Sequence, residues 1–195
     1  MKVFELNGTL RSEYGKKAAK GLRKQELIPC NLYGLGENIT FAVEKEAVRK
    51  LVYTPDTMAV ALTIGEKKMM AVVKELQFHP LTDNLLHIDF LAVDEKKAVV
   101  VEIPVQLTGH AEGVKAGGKL VLNQRKLKVK APYTSLPDTL EIDVTSLGLG
   151  KSMKVSALSF EGLEIITSKE VVVCAVRMTR AARSAAETAT EESAE

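Results

Sequence analysis

Short runs of alternating apolar and polar residues recur along this 195-residue chain, and they constrain its fold more than any other feature. Successive side chains of an extended strand point to opposite faces. A run such as LLHIDFLAV at 85–93 therefore places one face on a core and the other in solvent. Further strands are predicted over 3–10, 39–43, 58–64, 69–76, 99–107, 120–131, 140–144 and 171–177, with a turn and then a strand over 147–158. The pattern predicts a mostly β protein.

Helical spacing is confined to two short segments, 16–26 and 44–53. In the second segment Ala47, Leu51 and Val48 are the candidates to face inward, because residues three and four apart share a helix face. The first segment contains Gly21, which weakens a helix by about 1 kcal/mol relative to alanine. Alternatively, Gly21 allows a ligand to approach the backbone closely. Both interpretations of Gly21 remain open.

A charged break at 94–98, DEKKA, separates two regions of different character. The region before it contains a hairpin signal, with Gly65 in the turn at 65–68. The region after it contains a glycine-rich loop at 109–119 and alternating apolar and basic residues at 120–131. We predict domains over 1–95 and 96–178, each of ordinary domain size. Residues 179–195 lack large apolar side chains and are predicted to form a disordered acidic tail.

The net charge of +2 says little about binding partners, but the distribution of the charges along the chain is informative. Residues 11–24 carry one acid, Glu13, against six cations. A local patch of this kind is typical of polyanion binding, although a solvated helix face is the alternative. On a helix, Lys16, Lys20, Arg23 and Lys24 fall within about 100° of one another, opposite Ala18 and Leu22. One face could pack on a sheet while the other meets phosphates in an RNA groove.

His79, His87 and Asp89 are the second candidate group. His87 and Asp89 lie two apart on a predicted strand, so their side chains share a face. A metal site requires three or more converging ligands, and no nucleophile motif accompanies these residues. A pair of hydrogen-bonding side chains that reads bases is one interpretation, and simple structural hydrogen bonding is the other.

Other chemistry is not favoured. The loop with Gly113, Gly117 and Gly118 lacks the phosphate-binding pattern, since Lys119 leads into a strand, and a turn is predicted. Cys30 and Cys174 are far apart in sequence and are interpreted as buried thiols. The chain shows no signal peptide and no run of 18 apolar residues, so no membrane contact is predicted. No cofactor and no metal are expected.

The order of several motifs across residues 3–93 resembles the bacterial large-subunit ribosomal protein twenty-five family. The matching motifs are Arg11-x-Glu13-x-Gly15-Lys16, Leu22-Arg23, Pro29, Tyr33-Gly34, Gln77-x-His79-Pro80 and His87-Ile88-Asp89-Phe90. The second half resembles the longer members, known as the general stress protein Ctc type. It does so through Ile103-Pro104-Val105, Gly109-x-x-x-Gly113-Val114-Lys115-x-Gly117-Gly118, Ile142-Asp143-Val144 and Leu147-Gly148-Leu149-Gly150.

The resemblance implies a six-stranded β-barrel with short helices, related to the anticodon-binding barrels of glutaminyl-tRNA synthetase, followed by an all-β C-terminal domain. It also implies binding to the irregular internal loop of 5S ribosomal RNA, with the first helix in a widened minor groove. The contacts carried over by the resemblance fall on Arg11, Lys16, Lys20, Arg23, Tyr33, Lys74, Gln77, His87 and Asp89.

The chain departs from the family where many members carry consecutive arginines, since it has Ala19-Lys20-Gly21 there. Lysine lacks the bidentate fork of arginine, so the contact of Lys20 is expected to be directed to phosphate alone. Gly21 has no side chain and therefore cannot make a side-chain contact to RNA.

The expected function is that of a non-enzymatic, cytoplasmic constituent of the large ribosomal subunit. Its expected partners are 5S rRNA and neighbouring ribosomal proteins, and it is expected to be a monomer when free. One alternative is a stress-related, ribosome-associated protein whose C-terminal domain is a protein–protein module, with Lys126, Lys128 and Lys130 facing RNA or an acidic partner. The other alternative is a metal-dependent hydrolase at His79, His87 and Asp89.

Overall fold

A computed structural model describes residues 1–94 and 97–179. The predicted break at 94–98 lies partly outside the described residues, as does the predicted tail beyond Thr179. The chain divides into two compact units. The first comprises Met1–Val101 with Lys130–Asp138, and the second comprises Glu102–Val129 with the chain from Thr139 onward.

The first part of the chain alternates strands with two short helices. Its elements are β1 (Lys2–Leu10), α1 (Lys16–Lys24), β2 (Leu27–Gly34), β3 (Glu37–Glu44), α2 (Lys45–Tyr53), β4 (Met58–Ile64), β5 (Lys67–Phe78) and β6 (Leu85–Ala92). The six strands close into a barrel in the order β1-β3-β2-β6-β5-β4. Pairing is antiparallel except between β1 and β4 and between β2 and β6. The six-stranded barrel implied by the resemblance is therefore confirmed.

The barrel is filled by the inward faces of its strands. Phe41 of β3 and Phe90 of β6 are fully buried, and their ring centroids lie 5.7 Å apart. Gly8 of β1 leaves room for this pair, since a Cβ there would lie 2.5 Å from the Phe41 ring. Burial of apolar side chains in such a core is the main force that stabilises the fold.

Helix α2 covers the barrel differently from the sequence prediction. Val48 and Leu51 are buried as expected, but Ala47 is exposed. Val52 packs against the core as well. The face of α2 that covers the barrel is therefore formed by Val48, Leu51 and Val52. Ala47 lies about 100° from Val48 around the helix and therefore faces solvent.

The described C-terminal part consists of strands with one short α-helix and two 3-10 helices, Tyr133–Ser135 and Val155–Ala157. Its elements are β7 (Ala98–Thr108), α3 (Glu112–Lys115), β8 (Lys119–Leu122), β9 (Lys126–Pro132), β10 (Leu140–Asp143), β11 (Ser152–Lys154), β12 (Glu164–Ile165) and β13 (Val172–Arg177). They form a four-stranded sheet, β10-β7-β9-β12, and a three-stranded sheet, β11-β13-β8. Ile103, Leu127 and Val173 are fully buried among them. The β C-terminal fold implied by the resemblance is confirmed, although the expected all-β domain also contains the short helix α3.

The single strand predicted over 120–131 is wrong, because the chain changes sheets within it. Strand β8 pairs with β13, whereas β9 belongs to the other sheet. The amides of Asn123 and Gln124 both donate to the carbonyl of Val173, at 2.9 and 3.1 Å, and this bend ends β8. The apolar pattern does not mark this bend, since Leu120, Val121 and Leu122 of β8 are all half-buried and only β9 alternates. Strand β9 keeps the predicted pattern, with Leu127 and Val129 buried.

The glycine-rich loop is a packed turn that includes α3. A Cβ on Gly113 would lie 2.6 Å from backbone atoms of Gly148 and Leu149, so only glycine fits there without a shift. The amide of Gly113 donates to the carbonyl of Leu147 at 2.9 Å. This loop therefore has a packing role, in agreement with the predicted turn.

Candidate nucleic-acid interface

Helix α1 lies on the barrel surface and presents a cationic face to solvent. Ala18 and Leu22 are half-buried, whereas Lys16, Lys20 and Arg23 are exposed. The helix contacts β2, and among its residues none is fully buried. A nine-residue helix containing a glycine is marginal in isolation, so its contact with the barrel is needed to order it.

The charges of α1 stabilise the helix at its C-terminal end but not at its N-terminal end. Its first turn has no acidic residue, and Gly15 at the N-cap supplies no side-chain hydrogen bond. Lys16 and Lys17 stand at the positive end of the helix dipole, where cations are unfavourable. Arg23 and Lys24 in the last turn are favourable. Lys16 and Lys17 therefore do not stabilise the helix through its dipole.

Arg23 joins this helix to the outer face of the barrel. Its Nε donates to the carbonyl of Leu86 at 3.1 Å, directly before His87 on β6. Arg23 is also close enough to His87 to affect the pKa of that imidazole. The cationic helix and the polar strand residues are therefore adjacent.

The outward residues of β2, β6 and β5 form one polar face. In the strand register Asp89 lies between Asn31 of β2 and Glu75 of β5, and Gln77 lies opposite His87. Ile88 and Phe90, which alternate with these outward residues, are fully buried. The predicted shared face of His87 and Asp89 is confirmed.

His87 is held next to Asp89 in a partly desolvated position. Its Nδ1 lies 3.3 Å from Asp89 Oδ1. Burial lowers the pKa of His87 below its ordinary 6.5, and the charges of Arg23 and Arg11 lower it further, against the opposing effects of Asp89 and Glu75. The imidazole is therefore neutral at pH 7, with its proton assigned to Nδ1 by the nearby carboxylate. Nε2 is then left as a hydrogen-bond acceptor.

This pKa gives a pH prediction for stability. Because the folded-state pKa of His87 lies below 6.5, the unfolded chain binds this proton more readily. The free energy of unfolding should fall as pH is lowered through 6.5, until the folded-state pKa is passed, by no more than about 1.4 kcal/mol per pH unit. His87→Gln should remove this part of the pH dependence of the free energy of unfolding, measured by urea unfolding between pH 5 and 8. The exposed His110→Gln is the control, and an identical decline in wild type and His87→Gln would contradict the assignment.

Tyr33 lies on the same face. Burial raises the pKa of its phenol, and the carboxylates of Asp89 and Glu75 raise it further. The hydroxyl therefore remains protonated at neutral pH, able both to donate and to accept a hydrogen bond. Tyr33 is half-buried, so one part of its ring remains accessible.

Arg11 follows directly after β1 and faces the same group of residues. Its backbone amide donates to the carbonyl of Thr40 at 3.2 Å, and Nη2 donates to the carbonyl of Glu13 at 3.2 Å. Its Nε is buried and has no acceptor among the described residues. A buried donor without a partner destabilises a protein by about 1–3 kcal/mol, so stability alone does not explain it.

Lys74 is placed differently from the other predicted contacts. It occupies a bulge between Val73 and Glu75, which interrupts the pairing of β5 with β6. Its Nζ donates to the carbonyl of Val100 at 3.5 Å. The contacts described for Lys74 therefore do not connect it to His87 and Asp89.

The structure adds two residues that the sequence analysis missed, Asn31 and Glu75. Both share a strand face with predicted contacts, Asn31 with Tyr33 and Glu75 with Gln77, so the period of two could have identified them. Glu75 and Asp89 place two carboxylates side by side. Two adjacent anions repel phosphate, so this part of the face is suited to base amino groups and hydroxyls.

His79 does not join His87 and Asp89. Its Nδ1 accepts hydrogen bonds from the amides of Leu81 and Thr82, both at 3.3 Å. Its backbone amide donates to the carbonyl of Asn84, and its carbonyl accepts from the amide of Asp83, which closes the loop. Among residues 1–94 and 97–179, no three His, Cys, Asp or Glu side chains are grouped as metal ligands. His79 thus shapes a loop, and the geometry required by the hydrolase hypothesis is not present there.

The remaining sequence predictions concern cysteines and membranes. Cys30 and Cys174 are both buried and unpaired, and burial raises the pKa of each thiol. Both are therefore thiols, not thiolates, at neutral pH. In the described part of the chain, no helix combines the length and apolar character needed to span a membrane.

Gly21 provides a test of the two interpretations left open by the sequence. It is exposed within α1, and a Cβ there would meet nothing within 4 Å. Gly21→Ala should therefore raise the free energy of unfolding by about 0.5–1 kcal/mol, measured by urea unfolding. Ala47→Gly, an exposed position in α2, should lower it by a similar amount. A loss of RNA affinity in the stabilised Gly21→Ala variant would indicate close approach of RNA to the backbone, whereas unchanged affinity would contradict it.

Comparisons with known proteins agree with both halves of the fold. The model of the ribosomal L25p family matches residues 6–90, and that of the ribosomal protein TL5 C-terminal domain matches residues 98–180. The large ribosomal subunit protein bL25 of Porphyromonas gingivalis is 57% identical over 188 residues, which cover 95% of this chain and 98% of that protein. The bL25 protein of Parabacteroides distasonis is 59% identical over 191 residues, covering 95% and 98%, and that of Phocaeicola vulgatus is 55% identical over 196 residues, covering 97% and 99%.

The barrel, its cationic helix and these matches define the class as a ribosomal protein, a structural and non-enzymatic constituent. The hydrolase hypothesis is therefore excluded. The chain belongs to the bacterial bL25 family of large ribosomal subunit proteins, in the long form that carries both domains. The family suggested by the sequence motifs is thus confirmed.

Proposed function

We propose that this chain, a cytoplasmic constituent of the large ribosomal subunit, binds the irregular internal loop of 5S rRNA through α1 and the outer face of β2, β6 and β5. The observation that carries the proposal is the junction at Arg23. Its side chain bonds to Leu86 on β6, so the exposed cations of α1 and the His87–Asp89 pair form one continuous surface. Neighbouring ribosomal proteins are further expected partners.

The helix and the strand face of this surface have different roles in recognising RNA. Lys16, Lys20 and Arg23 are exposed on α1 and supply contacts to phosphates. Such contacts position a protein on RNA without reading its sequence. Because they depend on charge, they also make binding sensitive to salt.

The strand face reads shape and base edges. Neutral His87 offers an acceptor at Nε2, Asp89 accepts from base amino groups, and Gln77 and Tyr33 both donate and accept. Such groups suit an irregular loop, because bases outside Watson–Crick pairs expose edges that A-form duplexes conceal. Lys74 is assigned a peripheral phosphate contact, in keeping with its position at the β5 bulge.

Binding to two matched RNAs tests the proposal. The first is 5S rRNA, and the second is the same RNA with its irregular internal loop replaced by a Watson–Crick duplex. The full chain should bind the first at least about tenfold more tightly at equal salt, a difference of about 1.4 kcal/mol. Equal affinity for both RNAs would contradict recognition of the loop, although charge attraction would remain.

The stress-related alternative concerns the C-terminal domain. Lys126 and Lys128 are exposed on β9, as predicted, and Lys128 Nζ lies 3.8 Å from Glu102 Oε1. This lysine face suits an anionic partner but does not indicate a role in stress. That alternative therefore remains a prediction, and so does the monomeric state of the free protein.

A further inference from the structure

Tyr14, in the loop between β1 and α1, is an exposed aromatic residue that the sequence analysis did not identify. Its side chain is 68% exposed, yet its hydroxyl is held at both sides. The hydroxyl donates to the carbonyl of Arg11 at 3.3 Å and accepts from Thr40 Oγ1 at 3.4 Å. A ring fixed by its hydroxyl, with its face in solvent, loses little conformational freedom when a flat ligand stacks on it.

The ring forms part of an open groove of about 750 Å³ between this loop and α1. The helix side of the groove is lined by Lys17, Ala18, Gly21 and Leu22. Gly21 has open space where a Cβ would stand, so the groove is not filled at that point. The groove is therefore wide enough and apolar enough to receive a flat ring.

The charged groups around the groove indicate what kind of ring-containing ligand it would bind. Arg11 and Lys17 line it as cations, against the single carboxylate of Glu13. An aromatic platform flanked by cations is how proteins bind unpaired nucleotides, because the base stacks while the phosphate meets positive charge. A purely apolar ligand would make no favourable contact with the cations, and a simple anion would make none with the aromatic ring.

We propose that Tyr14 stacks on an unpaired base of the bound RNA, with Lys17 and Arg11 facing the phosphates beside it. This rests on the proposed function and extends it, since it adds a contact to a base, without selection among bases, to the phosphate contacts of α1. The groove adjoins the cationic face of α1 at Lys17, whereas its deeper wall, Ala18 and Leu22, lies on the opposite side of the helix. The stacked base would thus be an extruded nucleotide next to the internal loop.

Binding of 5S rRNA by the full chain tests this contact. Tyr14→Ala should lower the affinity by about fivefold to a hundredfold, the range for removing one base–aromatic stack. The slope of affinity against salt should stay unchanged, because no cation is lost. Tyr14→Phe, which keeps the ring, should retain more affinity than Tyr14→Ala. Tyr53→Ala is the matched control, since Tyr53 is 64% exposed and lies outside the groove.

A second readout separates stacking from a change in loop structure. 5S rRNAs with 2-aminopurine at single unpaired positions should include one whose fluorescence changes on binding wild type and Tyr14→Phe, but not Tyr14→Ala. If wild type fails to bind 5S rRNA, the proposed function itself is overturned. If wild type binds and Tyr14→Ala matches it in affinity and fluorescence, only the role of Tyr14 is overturned. An equal loss in Tyr53→Ala would overturn it as well.

Discussion

Replacing Lys16 and Arg23 together by alanine is expected to weaken binding to 5S rRNA by about 60-fold at 0.1 M salt. Each phosphate contact contributes about −0.9 to the slope of log affinity against log salt, which corresponds to about eightfold in affinity at this concentration. Both side chains are exposed on α1, so their loss should leave the barrel core intact. Affinity measured between 0.05 and 0.4 M salt gives both quantities.

The salt slope distinguishes this mechanism from others. Six neutralised phosphates predict a slope of about −4 to −5.5 for wild type, and the double variant should be less steep by about 2. Lys67→Ala with Lys68→Ala is the control, because these lysines begin β5 about 30 Å along the strand from Gln77. The role of α1 would be refuted if the affinity of wild type did not vary with salt. It would also be refuted if the double variant had the same affinity and salt slope as wild type.

Replacing Phe41 by alanine is expected to lower the free energy of unfolding by about 3–5 kcal/mol. The ring is fully buried against Phe90, and its removal leaves a cavity that the closed barrel cannot easily fill. Urea unfolding of the full chain without RNA measures this loss. RNA affinity should fall too, because Phe90 is flanked on β6 by Asp89 of the candidate surface.

Phe78→Ala is the matched control for this second prediction. Phe78 is 40% exposed at the end of β5, where its ring lies 6.5 Å from that of Tyr53. Its removal should lower the free energy of unfolding by less than about 1.5 kcal/mol, since 40% of its surface already contacts water and less apolar area is lost than at Phe41. Losses of equal size in the two variants would show that Phe41 does not anchor the core.

The local pattern of side chains was sufficient to predict most elements of the barrel. Strand β6 shows why, since a period of two places Ile88 and Phe90 inside and His87 and Asp89 outside. The same reasoning failed at Ala47, where the buried face of the helix includes Val52 and leaves Ala47 in solvent, and at 120–131. In that segment the amides of Asn123 and Gln124 turn toward Val173, a residue about fifty positions away.

The candidate surface was only partly accessible from the sequence. The cations of α1 and the His87–Asp89 pair follow from their spacing alone, because helix and strand periods decide which side chains share a face. Their adjacency does not follow, since Arg23 and Leu86 are 63 residues apart and meet only because α1 lies against the closed barrel. Tyr14 was missed for a related reason, because its ring is fixed by Thr40 on a distant strand.

The sequence by itself determined the β character, five of the six strands of the N-terminal part, the cationic helix face and the family. These are local properties, set by the period of apolar residues and by motif order, and they need no knowledge of which strands meet. Only the tertiary structure decided the change of sheets after β8, the neutral state of His87 and the groove at Tyr14. Each of these depends on burial or hydrogen bonding between residues distant in the chain, and such contacts exist only once the barrel and sheets have closed.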